Sequence, residues 1–317
     1  MKRCRPAPSA ARAPAFPAGP SSERGAALLA VLAMVVLLSG FATVGLSRLK
    51  AAGERVGAAQ AQAEAQLLAS TGVNVAVSII SRLKAQSRNN LAVLQAPLTF
   101  DLPGGKVTAR FGEGGNCFNL NSLARPPASV STGEIPAAAR PQDFARLLTA
   151  AGIPLMEANT IAQATANRLA QTGQLWADAS EWAAIPGVTA QHWALAGPLL
   201  CALPSRETSA LNINSLTPEK APLLAAMGLG ADEARRAIAA RPAAGWASTA
   251  DFMGSSGNRT EAGEDTIEQL GTSTRWMTLA IEVETPRIRI ARELLVDTLE
   301  QPATVVSSRW RAMEEAS

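Results

Sequence analysis

The stretch SSERGAALLAVLAMVVLLSGFATVGL, residues 21–46, decides how this chain is read. Residues 1–24 are polar, basic and Pro-rich, and Gly25 is followed at once by an apolar run from Ala26 to Leu46 that holds no charge. At the helical rise per residue such a run spans the roughly 30 Å hydrocarbon core of a bilayer. Lys2, Arg3, Arg5, Arg12 and Arg24 precede it against Glu23 alone. Positive flanks stay on the cytoplasmic side, so the body should lie across the membrane. Three readings compete. One is a secretory signal cut after the apolar run, for which the run is long. Another is a plain membrane anchor. The third is a signal cut between Gly25 and Ala26, which leaves the apolar run in the mature protein.

Charge outside this leader narrows the class. The chain has 317 residues, 29 basic and 26 acidic side chains, and a formal net charge of +3. The basic excess sits in the first 25 residues, and the remainder is close to neutral. A nucleic-acid binder would keep that excess on its folded body. The length suffices for one large or two modest cores.

No proline falls between Pro20 and Pro97. Ala, Leu, Gln, Glu and Arg dominate from Ala26 to about Lys84, with Val56, Ala63, Leu67, Val77, Ile80 and Leu83 near helical spacing. One long helix is predicted, with Gly53, Gly57 and Gly72 as candidate kinks or as a break into two helices. Leu98–Leu102 and Lys106–Phe111 flank Pro-Gly-Gly and read as a hairpin. Short helices are predicted at 142–151, 157–172, 179–184, 190–195, 217–227, 232–240 and 249–253. Strands return at 276–284, 287–299 and 304–310 and should join the hairpin in one sheet against the long helix.

The helical block repeats. Phe118-Asn-Leu-Asn-Ser-Leu123 recurs as Leu211-Asn-Ile-Asn-Ser-Leu216, and Leu175-Trp-Ala-Asp-Ala-Ser-Glu-Trp182 is echoed by Gly245-Trp-Ala-Ser-Thr-Ala-Asp-Phe252. Two copies of one small helical unit, packed face on face, follow from this.

The segment Arg24–Leu32 resembles the start of type IV pilin-like proteins, and the repeat resembles the two SAM-like (helix-hairpin-helix-like) units of the K-type minor pseudopilin of type II secretion systems. Ile185-Pro-Gly-Val188 is similar to the hairpin turn of such units. The resemblance implies an α+β fold: a pilin-like long N-terminal helix on a small antiparallel sheet, with a large all-helical insertion. It divides the chain into a removed leader (1–25), the transmembrane part of the helix (26–46) and a periplasmic helix with the first strands (47–116). The insertion follows (117–260, in units of about 117–204 and 205–260), then C-terminal strands (261–317). Prepilin peptidase would cut after Gly25 and methylate Ala26. Most pilin-like proteins carry Glu at the fifth mature position, where this chain has Ala30; the K-type subunit typically lacks that Glu. An unpaired carboxylate in hydrocarbon is costly, and a subunit at a fibre tip has no neighbour above it to supply a partner.

The same resemblance implies a single-pass inner-membrane protein with its C-terminal body in the periplasm and no enzymatic role. Its partners would be I- and J-type minor pseudopilins, other pseudopilins, prepilin peptidase and the secretin or an exported protein, with no nucleic acid. It would initiate or cap a short fibre for export across the outer membrane. A type IV pilus minor pilin and a membrane-anchored DNA receptor of competence type are the alternatives. In a nucleic-acid-binding hairpin unit, basic residues flank the phosphate-binding turn. Ile185–Gln191 has no Lys or Arg, and Asp232 and Glu233 follow Gly228–Gly230.

The chemistry-bearing residues are few. His192 is the single histidine and reads as packed rather than catalytic, and no nucleophile elbow, P-loop or HExxH motif is present. Cys4 leaves with the leader. Cys117 and Cys201 remain as a pair in a segment placed in the oxidising periplasm, and a disulfide between them would contribute roughly 4 kcal/mol in the chain-entropy model. Calcium is the one cofactor the resemblance allows, and Glu261, Glu264 and Asp265 with Asn258 form the nearest oxygen cluster; a solvated acidic loop is the simpler reading. Trp176, Trp182, Trp193 and Trp246 read as core, while an exposed Trp would be a candidate binding anchor.

Mass analysis of the N-terminus of the protein taken from membranes tests the leader: the expected species begins at N-methylated Ala26, and an intact leader or a start near Ser47 contradicts it.

Overall fold

A computed structural model describes residues 22–86, 96–124, 139–256, 269–299 and 302–311. The chain divides into two units between Ala61 and Gln62. A helix α1, Ser22–Gln86, begins in the first unit and ends in the second without a break, four residues ahead of the expected start at Ala26. The glycines produce neither a break nor a second helix. In the first unit the side chains from Leu28 to Leu49 are exposed around the helix.

In the second unit α1 has a narrow buried stripe of Ala65, Ala69, Val73, Ala76 and Ile80. This corrects the expected stripe in part: Ile80 is buried and Val77 packs against the same core, whereas Val56, Ala63 and Leu67 are exposed. Leu67 is 69% exposed and Val56 67% exposed, whereas Ala65 and Ala69, on either side of Leu67, are covered. Hydrophobic size points to the wrong residues because the sheet lies too close for large side chains. A Cβ at Gly72 would sit 2.5 Å from Val107 Cγ1 and 3.6 Å from Ile281 Cγ2.

That sheet has five strands: β1 Leu98–Leu102, β2 Gly105–Glu113, β7 Trp276–Glu284, β8 Arg289–Asp297 and β9 Thr304–Arg311, neighbours in that order. All four pairings are antiparallel. The β1–β2 turn is Pro103-Gly104, where Gly104 takes φ +97° at no steric cost. Thr285 shortens the expected strand at 287 to Arg289: its Oγ1 accepts the Ile288 N–H (3.0 Å) and its own N–H donates to the Ile288 carbonyl (3.0 Å). Val107, Ala109, Leu279, Ile281, Val283, Leu294 and Val296 present one face to the α1 stripe, as period-two alternation requires.

Between β2 and β7 lies the helical block. Its short strands are β3 Phe118–Asn119, β4 Leu200–Cys201, β5 Leu211–Asn212 and β6 Leu270–Gly271. Its helices are α2 Pro141–Ala150, α3 Leu155–Thr172, α4 Ala190–Ala196, α5 Pro222–Ala226, α6 Ala231–Ala239 and α7 Thr249–Ser256. Two expected α-helices differ. Ala179–Ala184 is 3-10, started by a capping box in which Asp178 and Glu181 satisfy each other's backbone N–H groups. The expected 217–227 helix splits into a 3-10 turn, Pro218–Lys220, and α5, because Pro222 lacks the N–H that would continue the first turn. One core joins both repeats, with Trp182, Phe144 and Phe252 fully buried.

Gly72→Leu should destabilise the folded body by about 1–3 kcal/mol, since Val107 is fully buried and cannot swing aside. Urea unfolding followed by tryptophan fluorescence measures it, with Leu67→Ala as the near-neutral comparison on the exposed face.

Candidate functional site

Two features carry the chemistry: the apolar stem, and the polar network that fastens the helical block to the sheet. Gly25 and Ala26 both lie inside α1. A Cβ at Gly25 would meet nothing within 4 Å, so no packing within the chain requires glycine there. Ala30 is exposed among exposed apolar neighbours, and no carboxylate occurs between Glu23 and Glu54. Among the described residues this is one helix long and apolar enough to cross a membrane, with a mean hydropathy of 2.5 in its apolar window.

The repeated Asn-x-Asn segments explain themselves in the second feature. Asn121 accepts the Trp176 N–H at its Oδ1 (2.7 Å) and donates through Nδ2 to the Trp176 carbonyl (3.0 Å). In the second copy Asn214 does the same to Trp246, at 2.6 and 3.0 Å. An asparagine amide offers one acceptor and two donors, so it closes on a buried backbone as a neighbouring strand would. The first asparagine of each pair turns inward on its own chain. Asn119 Oδ1 accepts from Asn121 N–H (3.1 Å) and Leu203 N–H (3.0 Å), and Asn212 Oδ1 accepts from Asn214 N–H (3.0 Å). Each motif opens in a parallel bridge, Phe118 with Leu200 and Leu211 with Leu270.

Asn116 and Glu113 join this block to the sheet, and neither is visible in the sequence as part of any motif. Asn116 holds the backbone of Asn212 from both sides, at 2.8 and 3.1 Å. Glu113, the last residue of β2, accepts at Oε2 from Asn212 Nδ2 (3.2 Å), Ser215 Oγ (2.9 Å) and Thr274 Oγ1, and at Oε1 from Gly115 N–H (2.9 Å). A carboxylate that accepts several hydrogen bonds needs no cation to be kept within a fold. Beside it Cys117 and Cys201 form a disulfide, their Cα atoms 5.7 Å apart across the end of the β3–β4 bridge.

The remaining sequence candidates fall as follows. His192 is 8% exposed; its Nδ1 accepts the Thr189 N–H (3.3 Å), which leaves the proton on Nε2 to meet Glu157 (3.1 Å). It caps α4 and touches no nucleophile. Glu261, Glu264 and Asp265, with Asn258, lie outside the described residues. Among the described residues no group of three His, Cys, Asp or Glu side chains is placed to hold a metal ion. In the Ile185–Val188 turn Gly187 takes φ +91° and the Val188 N–H is spent on the Ile185 carbonyl (3.0 Å). Asp232 and Glu233 occupy the first turn of α6, where an anion would otherwise sit. Trp176, Trp182 and Trp246 are buried and Trp193 is half-buried, while Trp310 on β9 is 48% exposed. Asp178, on the surface beside β9, has its carboxyl held below the usual range by hydrogen bonds from Ser180, with Arg309 adding to the effect.

Comparison with known proteins matches this architecture to one family. Two models described as type II secretion system protein K match residues 116–205 and 211–272. The chain is 31% identical over 176 residues to type II secretion system protein K of Aeromonas hydrophila, a stretch that spans 46% of this chain and 53% of that one. It is 28% identical over 264 residues to the Klebsiella pneumoniae protein of the same name, covering 73% of this chain and 79% of that one. A chain in the solved GspK-GspI-GspJ complex of the enterotoxigenic Escherichia coli type 2 secretion system superposes with a TM-score of 0.66 at 23% identity. The superposition covers 82% of this chain and all of that one. The fold is therefore the pilin-like α+β fold with a helical insertion. Its helical block, residues 116–205 and 211–272, is similar to the type II secretion system protein K family, and the chain spans about half the length of the Aeromonas hydrophila relative it matches.

Asn214→Ala leaves the Trp246 N–H and C=O buried without partners and should cost on the order of 2–4 kcal/mol. Hydrogen exchange resolves it by copy: the Trp246 amide should exchange faster while Trp176 stays protected, and Asn121→Ala should reverse the pattern.

Proposed function

We propose that this chain is the tip subunit of a short periplasmic fibre. Its stem is held in the inner membrane after removal of residues 1–25, and it assembles with I- and J-type minor pseudopilins to start or cap fibre growth for export across the outer membrane. The observation that carries this reading is the stem: a stretch of α1 apolar on every side that begins directly after Gly25, with alanine at position 30 and no carboxylate between Glu23 and Glu54. A subunit stacked below others can use a buried Glu to meet the next N-terminal ammonium. A subunit with nothing above it would bury that charge at a loss of about 3 kcal/mol on insertion scales.

The solved relative comes from a complex of GspK with GspI and GspJ, and this supports partners of the same two types here. In this role the helical block is the cap, and contacts with the secretin or exported protein fall to its surface. The disulfide and the Glu113–Asn116 network suit a cap that must not unfold under load. The role is structural rather than catalytic: His192 is spent on a helix cap, and the asparagines and Glu113 hold backbone or one another. Calcium bound by Glu261, Glu264 and Asp265 remains part of the proposal only as an added staple of that loop.

Co-expression of the full chain with the I- and J-type proteins of the same cell, followed by detergent extraction and size-exclusion chromatography, tests the assignment. A single peak containing all three is expected. Elution of the chain alone, with the other two proteins folded and present, would overturn it.

A further inference from the structure

The two edges of the five-stranded sheet are built differently. β1 is five residues long, lies between Pro97 and Pro103 and carries Asp101. These are the devices that stop a sheet edge from pairing. β9 is less protected: it carries Arg309 and Arg311 and bulges at Val306, between the pairs Val305–Val296 and Ser307–Leu295, but it is longer and not bounded in the same way. It runs eight residues, Thr-Val-Val-Ser-Ser-Arg-Trp-Arg, with no proline, lysine or acid, and every residue is exposed. It pairs with β8 on one side, and nothing described pairs with its other edge. An edge strand offers a row of free N–H and C=O groups, whose natural complement is an extended backbone.

The strand is also held in place. Arg309 binds Glu293 across the β8 pairing (2.9 Å) and Asp178 of the helical block (2.9 Å). Between β8–β9 and that block lies a cleft of about 710 Å³, lined by Trp193, Leu200, Leu203, Leu295, Ser307 and Arg309. By register Ser307 and Arg309 pair with Leu295 and Glu293, and Arg311 follows on the same side opposite Ala291. Trp310 lies on the other face, opposite Arg292, whose guanidinium stands 5.2 Å from its ring. Among the described residues Arg311 has no ion-pair partner, whereas Arg309 has two.

We propose that β9 is a docking edge for an extended segment of another protein. That segment adds antiparallel as a sixth strand, places one set of alternate side chains in the cleft and the intervening set over Trp310, and sets an acidic residue of the cleft-side set, near its N-terminal end, against Arg311. Charge selects this occupant over a second copy of the chain, because β9 has no acid of its own to meet Arg311. The inference concerns which surface recruits a partner and does not depend on the stem.

The test uses the full chain in detergent micelles and a fluorescein-labelled eight-residue probe that alternates Val and Thr with one Glu second from its N-terminus. Fluorescence anisotropy should give saturable binding. Arg311→Glu should weaken it at least tenfold, and replacing the probe's Glu by Lys should restore binding to that variant. Methylating the probe's alternate amide nitrogens should abolish binding in one of the two possible registers and spare it in the other. Absence of saturable binding, equal binding of both methylated probes, or indifference to Arg311→Glu would each overturn the proposal. So would sedimentation of the full chain as a dimer that Val306→Lys dissociates, since the edge would then be covered by a second copy. Failure here leaves the three-protein co-elution unaffected, so the two readings fall separately.

Discussion

Close approach between the second half of α1 and the sheet governs the rest of the architecture. It is possible because the helix presents Ala65, Ala69, Gly72, Val73 and Ala76 to β2 and β7. Small side chains bring the helix near enough for Val107 and Ile281 to fill the space a larger residue would need. A sheet covered on one face by a single helix can bury its central strands there and little beyond. The outer strands are therefore left to other means, and the two edges receive different treatment: β1 is short and bounded by prolines, and β9 is long and open.

The helical block departs from the sheet after β2 and returns before β7, so it leaves and re-enters a rigid scaffold at neighbouring strands. Such an insertion would swing unless its base were tied. Glu113, Asn116 and the Cys117–Cys201 disulfide sit at that base, with Thr274, two residues before β7, contributing to the same knot. Within the block each asparagine takes the place of a missing strand. The polar groups of this knot are thus spent on making a rigid body.

Much of this was legible beforehand. The stem follows from a run of uncharged residues of membrane-spanning length, the β strands from alternation, and the two-copy block from the recurrence of Asn-x-Asn-Ser-Leu. The candidate site was legible only in part. The repeat marked Asn121 and Asn214 without revealing that they clamp Trp176 and Trp246, because those partners lie 55 and 32 residues away. Glu113 and Asn116 belong to no periodic or repeated pattern, so their role could not be read at all.

What the sequence by itself determined is whatever depends on local spacing: where the apolar stem begins, that no carboxylate interrupts it, which segments are helical and which alternate. What only the tertiary structure decided is which side of α1 is covered, which edge of the sheet stays open and which polar residues tie the block down. Hydrophobic size alone favoured Leu67 over Ala65 and Ala69, and distance between helix and sheet reversed that order. Periodicity reports the direction a side chain points along its own element, whereas burial depends on how near another element comes, and that distance is set by residues far away in the chain.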